Sequence, residues 1–228
     1  MDPLANPVWH ALDGPQNKVA ERTGLASRYR PDVAPFAALP DDVEPPAWDA
    51  LAELVGSGGV AVLFRAAVDA PSGWEELFEG RGIQMLAPAA GDSDRQGGAF
   101  DQLAPTDVPA MLDLVARTQP GPFANRTIEL GTYLGVREAG ALVAMAGERM
   151  HLDGHTEISA VCTDPAHRRR GLARDLVLTL ARRIRARGER PFLHVAADNL
   201  DAIRLYEALG FEATRSLTFT ALRAPGLR

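Results

Sequence analysis

The sequence predicts an α/β protein, and three observations lead there. Short β-branched and apolar runs alternate with helical stretches, most clearly from Phe100 onward. One stretch, Gly171–Arg187, places Leu172, Leu176, Val177, Leu180, Ala181 and Ile184 at the spacing of one helix face. The 228 residues are 46% apolar and 24% charged, a balance that can bury a core and excludes a disordered chain.

Residues 1–98 read as a smaller α/β region. Ten of the 17 prolines and all three tryptophans (Trp9, Trp48, Trp74) fall within the first hundred residues, so periodic segments there are short. Pro45-Pro46 open a helix over Trp48–Val55, which Gly56 stops by taking a positive φ. Val60–Phe64 reads as a buried strand. Ser72-Gly73 caps a short helix over Trp74–Phe78, and Ile83–Leu86 is a further strand. The polar, glycine-rich run 91–98 is the expected linker.

Residues 99–228 carry sharper signals. Phe100–Leu103 is a strand, and Thr106 caps a helix running to Arg117 that Pro120 and Pro122 close. Tyr133–Arg137 and Ala141–Met150 are strands joined by a hairpin turn at Glu138-Ala139-Gly140. Thr156–Thr163 is a third strand, closed by Pro165. After the helix Gly171–Arg187 come a strand over Pro191–Ala196, a helix over Asn199–Leu209 stopped by Gly210, and a final strand over Leu217–Leu222.

Charge narrows the function classes. The net charge of −6 hides a local reversal: residues 165–190 hold nine arginines against only Asp175 and Glu189. An acidic chain with one basic segment argues against nucleic-acid binding, which wants a basic face across a whole domain. A compact anionic ligand suits it better. No apolar run approaches the roughly 20 residues of a membrane-spanning helix, and Met1-Asp2-Pro3 opens no signal peptide, so a cytoplasmic protein with no membrane partner is expected. Cys162 is the one cysteine, and no Cys/His spacing resembles a zinc site; no metal is expected.

The stretch that carries chemistry is 164–173, Asp-Pro-Ala-His-Arg-Arg-Arg-Gly-Leu-Ala, between a strand and a helix. The first four N–H groups of that helix lack intrahelical acceptors, and its dipole end is positive. Arg168, Arg169 and Arg170 make electrostatic sense there if an anion such as pyrophosphate docks among them. Gly171 and Ala173 let it approach the backbone closely. A solvated arginine turn is the plain alternative.

Arg168-x-x-Gly171-x-Ala173 resembles the acyl-CoA pyrophosphate loop of the GNAT N-acetyltransferase superfamily, Gln/Arg-x-x-Gly-x-Gly/Ala. Downstream, Asn199-Leu-Asp-Ala-Ile-Arg-Leu-Tyr-Glu-Ala-Leu-Gly-Phe211 resembles its closing motif. The likeness covers about residues 100–220, and within the superfamily the chain looks most like the branch related to glycine N-acyltransferases. It implies a mixed, mostly antiparallel sheet flanked by helices, behind a smaller N-terminal α/β domain that is a degenerate GNAT-like half. It also implies an enzyme that moves an acetyl or other short acyl group from acyl-CoA to a primary amine, directly and in a ternary complex.

The resemblance assigns roles by position. Val161, Cys162 and Thr163, on the strand that splays open, hold the pantetheine and thioester carbonyl. The main chain of Arg169, Arg170, Gly171, Leu172, Ala173 and Arg174 holds the pyrophosphate. Asn199 meets the pantetheine arm, and Tyr206 protonates the departing sulfur. A phenol of pKa ~10 is a reasonable donor to a thiolate whose acid lies near ~8.5. Each has a structural alternative: Asn199 as an N-cap, Tyr206 as core, Cys162 as a small strand residue rather than an acyl carrier. For the general base, Glu157 ranks first, His194 on the neighbouring strand second and Glu148 third. Their alternatives are pairing with arginines such as Arg149, and a satisfied core histidine. The loop 118–127 is expected to line the acceptor pocket with Phe123, Asn125 and Arg126, and the amine itself is not legible. A domain that binds acyl-CoA without turning it over is the rival reading, and Tyr206 and Glu157 weigh against it.

Overall fold

Alternation along single strands decides how the layers stack, because successive side chains of a strand point to opposite faces. The computed structural model describes residues 2–89 and 100–226. Among the described residues there are five α-helices: α1 (Pro7–Asp13), α2 (Pro45–Val55), α3 (Val108–Thr118), α4 (Leu172–Ala186) and α5 (Leu200–Ala208). The strands are β1 (Ala20–Thr23), β2 (Ala26–Tyr29), β3 (Phe36–Ala38), β4 (Val60–Arg65), β5 (Glu75–Leu86), β6 (Asp101–Gln102), β7 (Tyr133–Glu138), β8 (Ala141–Leu152), β9 (His155–Thr163), β10 (Arg190–Ala196) and β11 (Glu212–Arg223). They join one sheet in the order β1-β2-β3-β4-β11-β5-β10-β9-β8-β7-β6. Only β3/β4 and β9/β10 pair in parallel; the rest are antiparallel.

Phe192 on β10 packs with Val8 and Leu12 of α1, while its neighbour Leu193 packs with Leu176 and Leu180 of α4. On β8, Met145 meets Met111 and Leu114 of α3, and Ala144 and Ala146 meet α4. Helices α1 and α3 therefore cover one face, and α4 and α5 the other. Helix α2 packs Trp48 and Leu51 on Leu63, opposite Phe64, and so lies on the α4 side. The apolar stripe read on α4 is the buried one: Leu176, Val177, Leu180, Ala181 and Ile184 are all inaccessible. Each large aliphatic buried there contributes about 1.5–3 kcal/mol.

Several expectations change. Residues 74–78 are not a helix: Glu75–Leu86 is one long strand, paired with β11 from Glu75↔Arg223 to Leu86↔Glu212. The ladder overrides the helical spacing, and Gly73 at φ 99 turns the chain into it. Thr106 is not the cap of α3. Asp107 holds the N-cap position without a side-chain bond to α3; its Oδ2 instead accepts the Ala104 N–H at 2.8 Å in the preceding 3₁₀ turn. The hairpin turn holds, with Ala139 and Gly140 at φ 47 and 84. Helix α1 and strands β1–β3 were not read from the sequence. The expected linker 91–98 lies outside the described residues. On either side of it the chain interleaves, since β5 sits between β11 and β10. Among the described residues no helix is long and apolar enough to cross a membrane.

Candidate active site

Strands β9 and β10 pair in parallel only from His155↔Arg190 to Ile158↔Leu193. Beyond Ile158 they part. Ala160 takes φ 52, and the β8–β9 register slips between Met145 and Gly147, the signature of a bulge that bends a strand and ends pairing. Val161, Cys162 and Thr163 thus have β8 on one side and a gap on the other. Cys162 is buried, which pushes its thiol up to about 11, and the buried Thr163 hydroxyl has no hydrogen-bond partner among the described residues.

The arginine loop begins at Asp164, whose N–H donates to Val143 O at 2.8 Å. Its carboxylate accepts from Ala166 N at 3.0 Å and from Arg117 Nε at 3.0 Å, fixing the turn. Arg169 and Gly171 both adopt left-handed backbone, φ 61 and 80, and successive N–H groups in such turns face one concavity. Gly171 is the N-cap of α4 and supplies no side-chain cap, so the N-terminal N–H groups of α4 receive no acceptor from it. Arg168, Arg169 and Arg170 are exposed. Arg170 pairs with Glu138, Arg174 Nε with Asp175 Oδ1 at 2.8 Å, and Arg168 Nε approaches Thr163 O at 3.4 Å. An uncapped helix, a left-handed loop and a half-unpaired strand form one continuous run, 159–174. Leu172 and Ala173 are half-buried on the first turn of α4.

On the other side of the gap stand Asn199 and Tyr206. Asn199 Oδ1 accepts the Ala202 N–H at 3.2 Å, so it does cap α5, and it is exposed. Tyr206 is buried beside Phe211, with ring centroids 6.1 Å apart. Burial pushes its phenol well up, and the Cys162 thiol adds to that. Such a phenol stays protonated and has a proton to give.

Glu157 and His194 are brought together, away from solvent. Glu157 is fully buried and receives Arg149 through two bonds, Nε to Oε2 at 2.8 Å and Nη2 to Oε1 at 2.6 Å. His194 Nδ1 lies 2.6 Å from Glu157 Oε1. Burial pushes the Glu157 carboxyl up, but Arg149 and then His194 outweigh it and hold it at about 2. Burial pushes the His194 imidazole down, with Glu157 opposing. A neutral ring that donates Nδ1–H to the carboxylate accepts at Nε2, where Gln84 Nε2 sits at 3.0 Å while also donating to Leu4 O at 2.9 Å. Behind Arg149, Gln16 Nε2 donates to its carbonyl at 2.6 Å, while Gln16 Oε1 accepts from the Tyr29 hydroxyl at 2.6 Å. Glu148 is also spoken for, by Arg187 at 3.0 Å and Thr132 N at 3.3 Å.

The Arg149 pairing and the core histidine, both weighed from the sequence, thus have their geometry. Gln84, Gln16 and Tyr29 were missed. The one signal for the pair was opposite charge on the two arms of a hairpin turning at Asp153-Gly154. Of the expected acceptor loop, Phe123 meets Tyr133 edge-on at 5.6 Å, while Arg126 is tied to Glu129 and Asp32 at 2.6 and 3.1 Å. Among the described residues no three His, Cys, Asp or Glu side chains gather as a metal site.

Known proteins match this arrangement. Residues 133–220 match the family described as FR47-like protein. The [ribosomal protein bS18]-alanine N-acetyltransferase of Escherichia coli K12 is 34% identical over 122 residues, which is 50% of this chain and 82% of that protein. A solved GNAT-family structure from Novosphingobium aromaticivorans is 40% identical, covers 100% of both chains and superposes with a TM-score of 0.87. A GCN5-related N-acetyltransferase from Kribbella flavida, 19% identical with a TM-score of 0.65 over 100% of this chain and 97% of its own, shares the fold.

Proposed function

Since the chain belongs to the GNAT family of acetyltransferases, which move an acetyl group from acetyl-CoA to amines, we propose that it acetylates an α-amine of low pKa, at the gap between β9 and β10. The observation that carries the reading is the break in β9–β10 pairing directly ahead of an uncapped, arginine-lined helix start. In this reading the loop 169–174 holds the pyrophosphate through main-chain N–H groups, with Arg168 beside it. The freed backbone of Val161–Thr163 takes the pantetheine and polarises the thioester carbonyl. Asn199 turns its amide to the arm while capping α5.

The amine nitrogen attacks the thioester carbon, and the tetrahedral oxyanion collapses with cleavage of the C–S bond. The Tyr206 phenol gives its proton to the leaving sulfur, and the phenolate is restored by the proton that the attacking nitrogen sheds as it becomes an amide. Transfer is direct, because a Cys162 thiol held near 11 is a poor nucleophile at neutral pH. Glu157, engaged on both oxygens and held near 2, is a poor proton acceptor. Glu157, Arg149 and His194 instead fasten β9 to its neighbours one residue ahead of the break, and the amine enters as its free base. At neutral pH an α-amine of pKa ~8 is about a tenth unprotonated, whereas a lysine of ~10.4 is roughly two orders of magnitude less so. A site without a free base therefore favours N-termini. The alanine-acetylating relative supports that acceptor, and its protein substrate supports a polypeptide one. Residues 2–89 contribute Gln16, Tyr29 and Gln84 to the fastening, which supports the N-terminal region as a working half of the enzyme. Dependence on acetyl-CoA supports a cytoplasmic setting.

The test is turnover of acetyl-CoA with an alanyl-terminated peptide and with an N-blocked peptide bearing only lysine amines. Thiol release with the first, at least tenfold above the second, is expected. Equal rates, or faster lysine acetylation, would remove the α-amine reading.

A further inference from the structure

Tyr133 is buried to 1% exposure, and its hydroxyl has no hydrogen-bond partner among the described residues. Leaving such a group unpaired costs about 1–3 kcal/mol, which calls for an occupant of the space it faces.

The ladder says where it faces. Tyr133 stands opposite Gly147 on β8, and Gly147 opposite Ser159 on β9. Ser159 is the first residue past the last β9–β10 pair. A Cβ on Gly147 would fall 2.2 Å from Tyr133 Cδ1, so the ring lies across β8 where glycine leaves room. It reaches along that row over one strand spacing of about 4.8 Å, toward β9. It does so on the α3 face, with Phe123 edge-on at 5.6 Å. Glu148, Arg149 and Glu157 are near enough to act on the hydroxyl, yet each is committed: Glu157 to Arg149 and His194, Glu148 to Arg187. Tyr29, on the other side of the same pair, has Gln16 as its partner. At the start of the gap the Tyr133 hydroxyl is uncommitted among the described residues; the Thr163 hydroxyl, likewise without a partner, lies four residues farther along β9 than Ser159.

We propose that Tyr133 is an acceptor-binding residue, its hydroxyl oxygen taking a hydrogen bond from an N–H of the incoming amine at the start of the gap. The lone pair of the amine then points at the thioester carbon, on the side away from α4 and the pyrophosphate loop. Burial keeps the phenol protonated, so Tyr133 orients the amine and does not deprotonate it. The assignment rests on the acetyl-transfer reading.

Tyr133→Phe removes the hydroxyl and keeps the ring. Calorimetry of wild type and variant compares acetyl-CoA, CoA, and CoA joined through an acetyl bridge to the amine of an alanyl peptide. The variant is expected to melt at or above the wild-type temperature, since an unpaired buried group is gone, and to bind acetyl-CoA unchanged. The conjugate should bind wild type at least tenfold more tightly than CoA, and that gain should fall by tenfold in the variant. A gain that survives Tyr133→Phe, or is absent in wild type, overturns the assignment. A parallel loss of acetyl-CoA binding also overturns it, because the residue would then be shaping the gap. If wild type binds no acetyl-CoA, the acetyl-transfer reading itself fails and takes this assignment with it.

Discussion

Replacing Glu157 by Gln separates two roles for the most buried charge in the protein. The carboxylate accepts two bonds from Arg149 and one from His194, and Arg149 in turn lies 5.1 Å above the Phe36 ring with 7% of its side chain exposed. Removing one partner of a buried pair strands the other and costs about 3–5 kcal/mol. Linkage gives a similar figure: a carboxyl held at about 2 against an ordinary 4.5 contributes about 3 kcal/mol. The sign follows from the depressed pKa. The contribution is complete above pH 4.5 and is lost as pH falls toward 2. At roughly 2–4 °C per kcal/mol for a chain of this size, Glu157→Gln should melt about 6–12 °C below wild type at pH 7. It should also lose less stability than wild type between pH 4.5 and 2. Thermal and urea unfolding across pH measure both. Kinetics then divide the roles. If Glu157 fastens β9, Arg149→Met slows turnover as much as Glu157→Gln does. A proton acceptor freed from Arg149 would gain basicity and keep its rate. A variant that melts with wild type and shows the same acid dependence would refute the reasoning.

Two further outcomes follow from the gap. Tyr206→Phe should keep acetyl-CoA affinity and lower kcat by about 10²–10⁴, the range for a lost general acid, read from steady-state thiol release; a rate within threefold of wild type would take Tyr206 out of the proton path. Cys162→Ala should turn over within about threefold of wild type and leave no acylated protein in intact mass spectra, whereas an acyl adduct on the wild-type cysteine would replace direct transfer with a covalent route.

What the sequence made legible divides by range. The arginine loop, α4 and the Asn199–Phe211 segment were readable because their signals are local: an i, i+3, i+4 stripe, a glycine at positive φ, an asparagine at a helix start. The hairpin at Ala139-Gly140 was readable for the same reason. Strand β5 was not, since Trp-Glu-Glu-Leu-Phe has helical spacing and the partner that makes it a strand is β11, at the far end of the chain. Strands β1–β3 are three or four residues each, too short for alternation to register. At the site, the residue types were legible and their partners were not. Glu157 and His194 read as candidate bases through the family resemblance and their places on neighbouring strands, but their long-range surroundings did not read at all: Gln84 bonds His194, and Gln16, held by Tyr29, bonds the Arg149 carbonyl. Tyr133 read as an ordinary strand residue. Its meaning came from Gly147 opposite it and from the missing partner on its hydroxyl.

The central claim is that acetyl-CoA docks on the left-handed loop ahead of α4, and calorimetric titration of wild type against Gly171→Glu tests it most directly. Gly171 sits at φ 80 with Arg174 Nη2 3.3 Å from where a Cβ would be, so a glutamate there strains the turn and sets a negative charge against the phosphates. Wild type should bind one equivalent and gain about 2.7 kcal/mol of stability at a hundredfold excess over Kd, while the folded variant gains nothing. A folded wild type that ignores acetyl-CoA, or a variant that binds it equally well, would contradict the account.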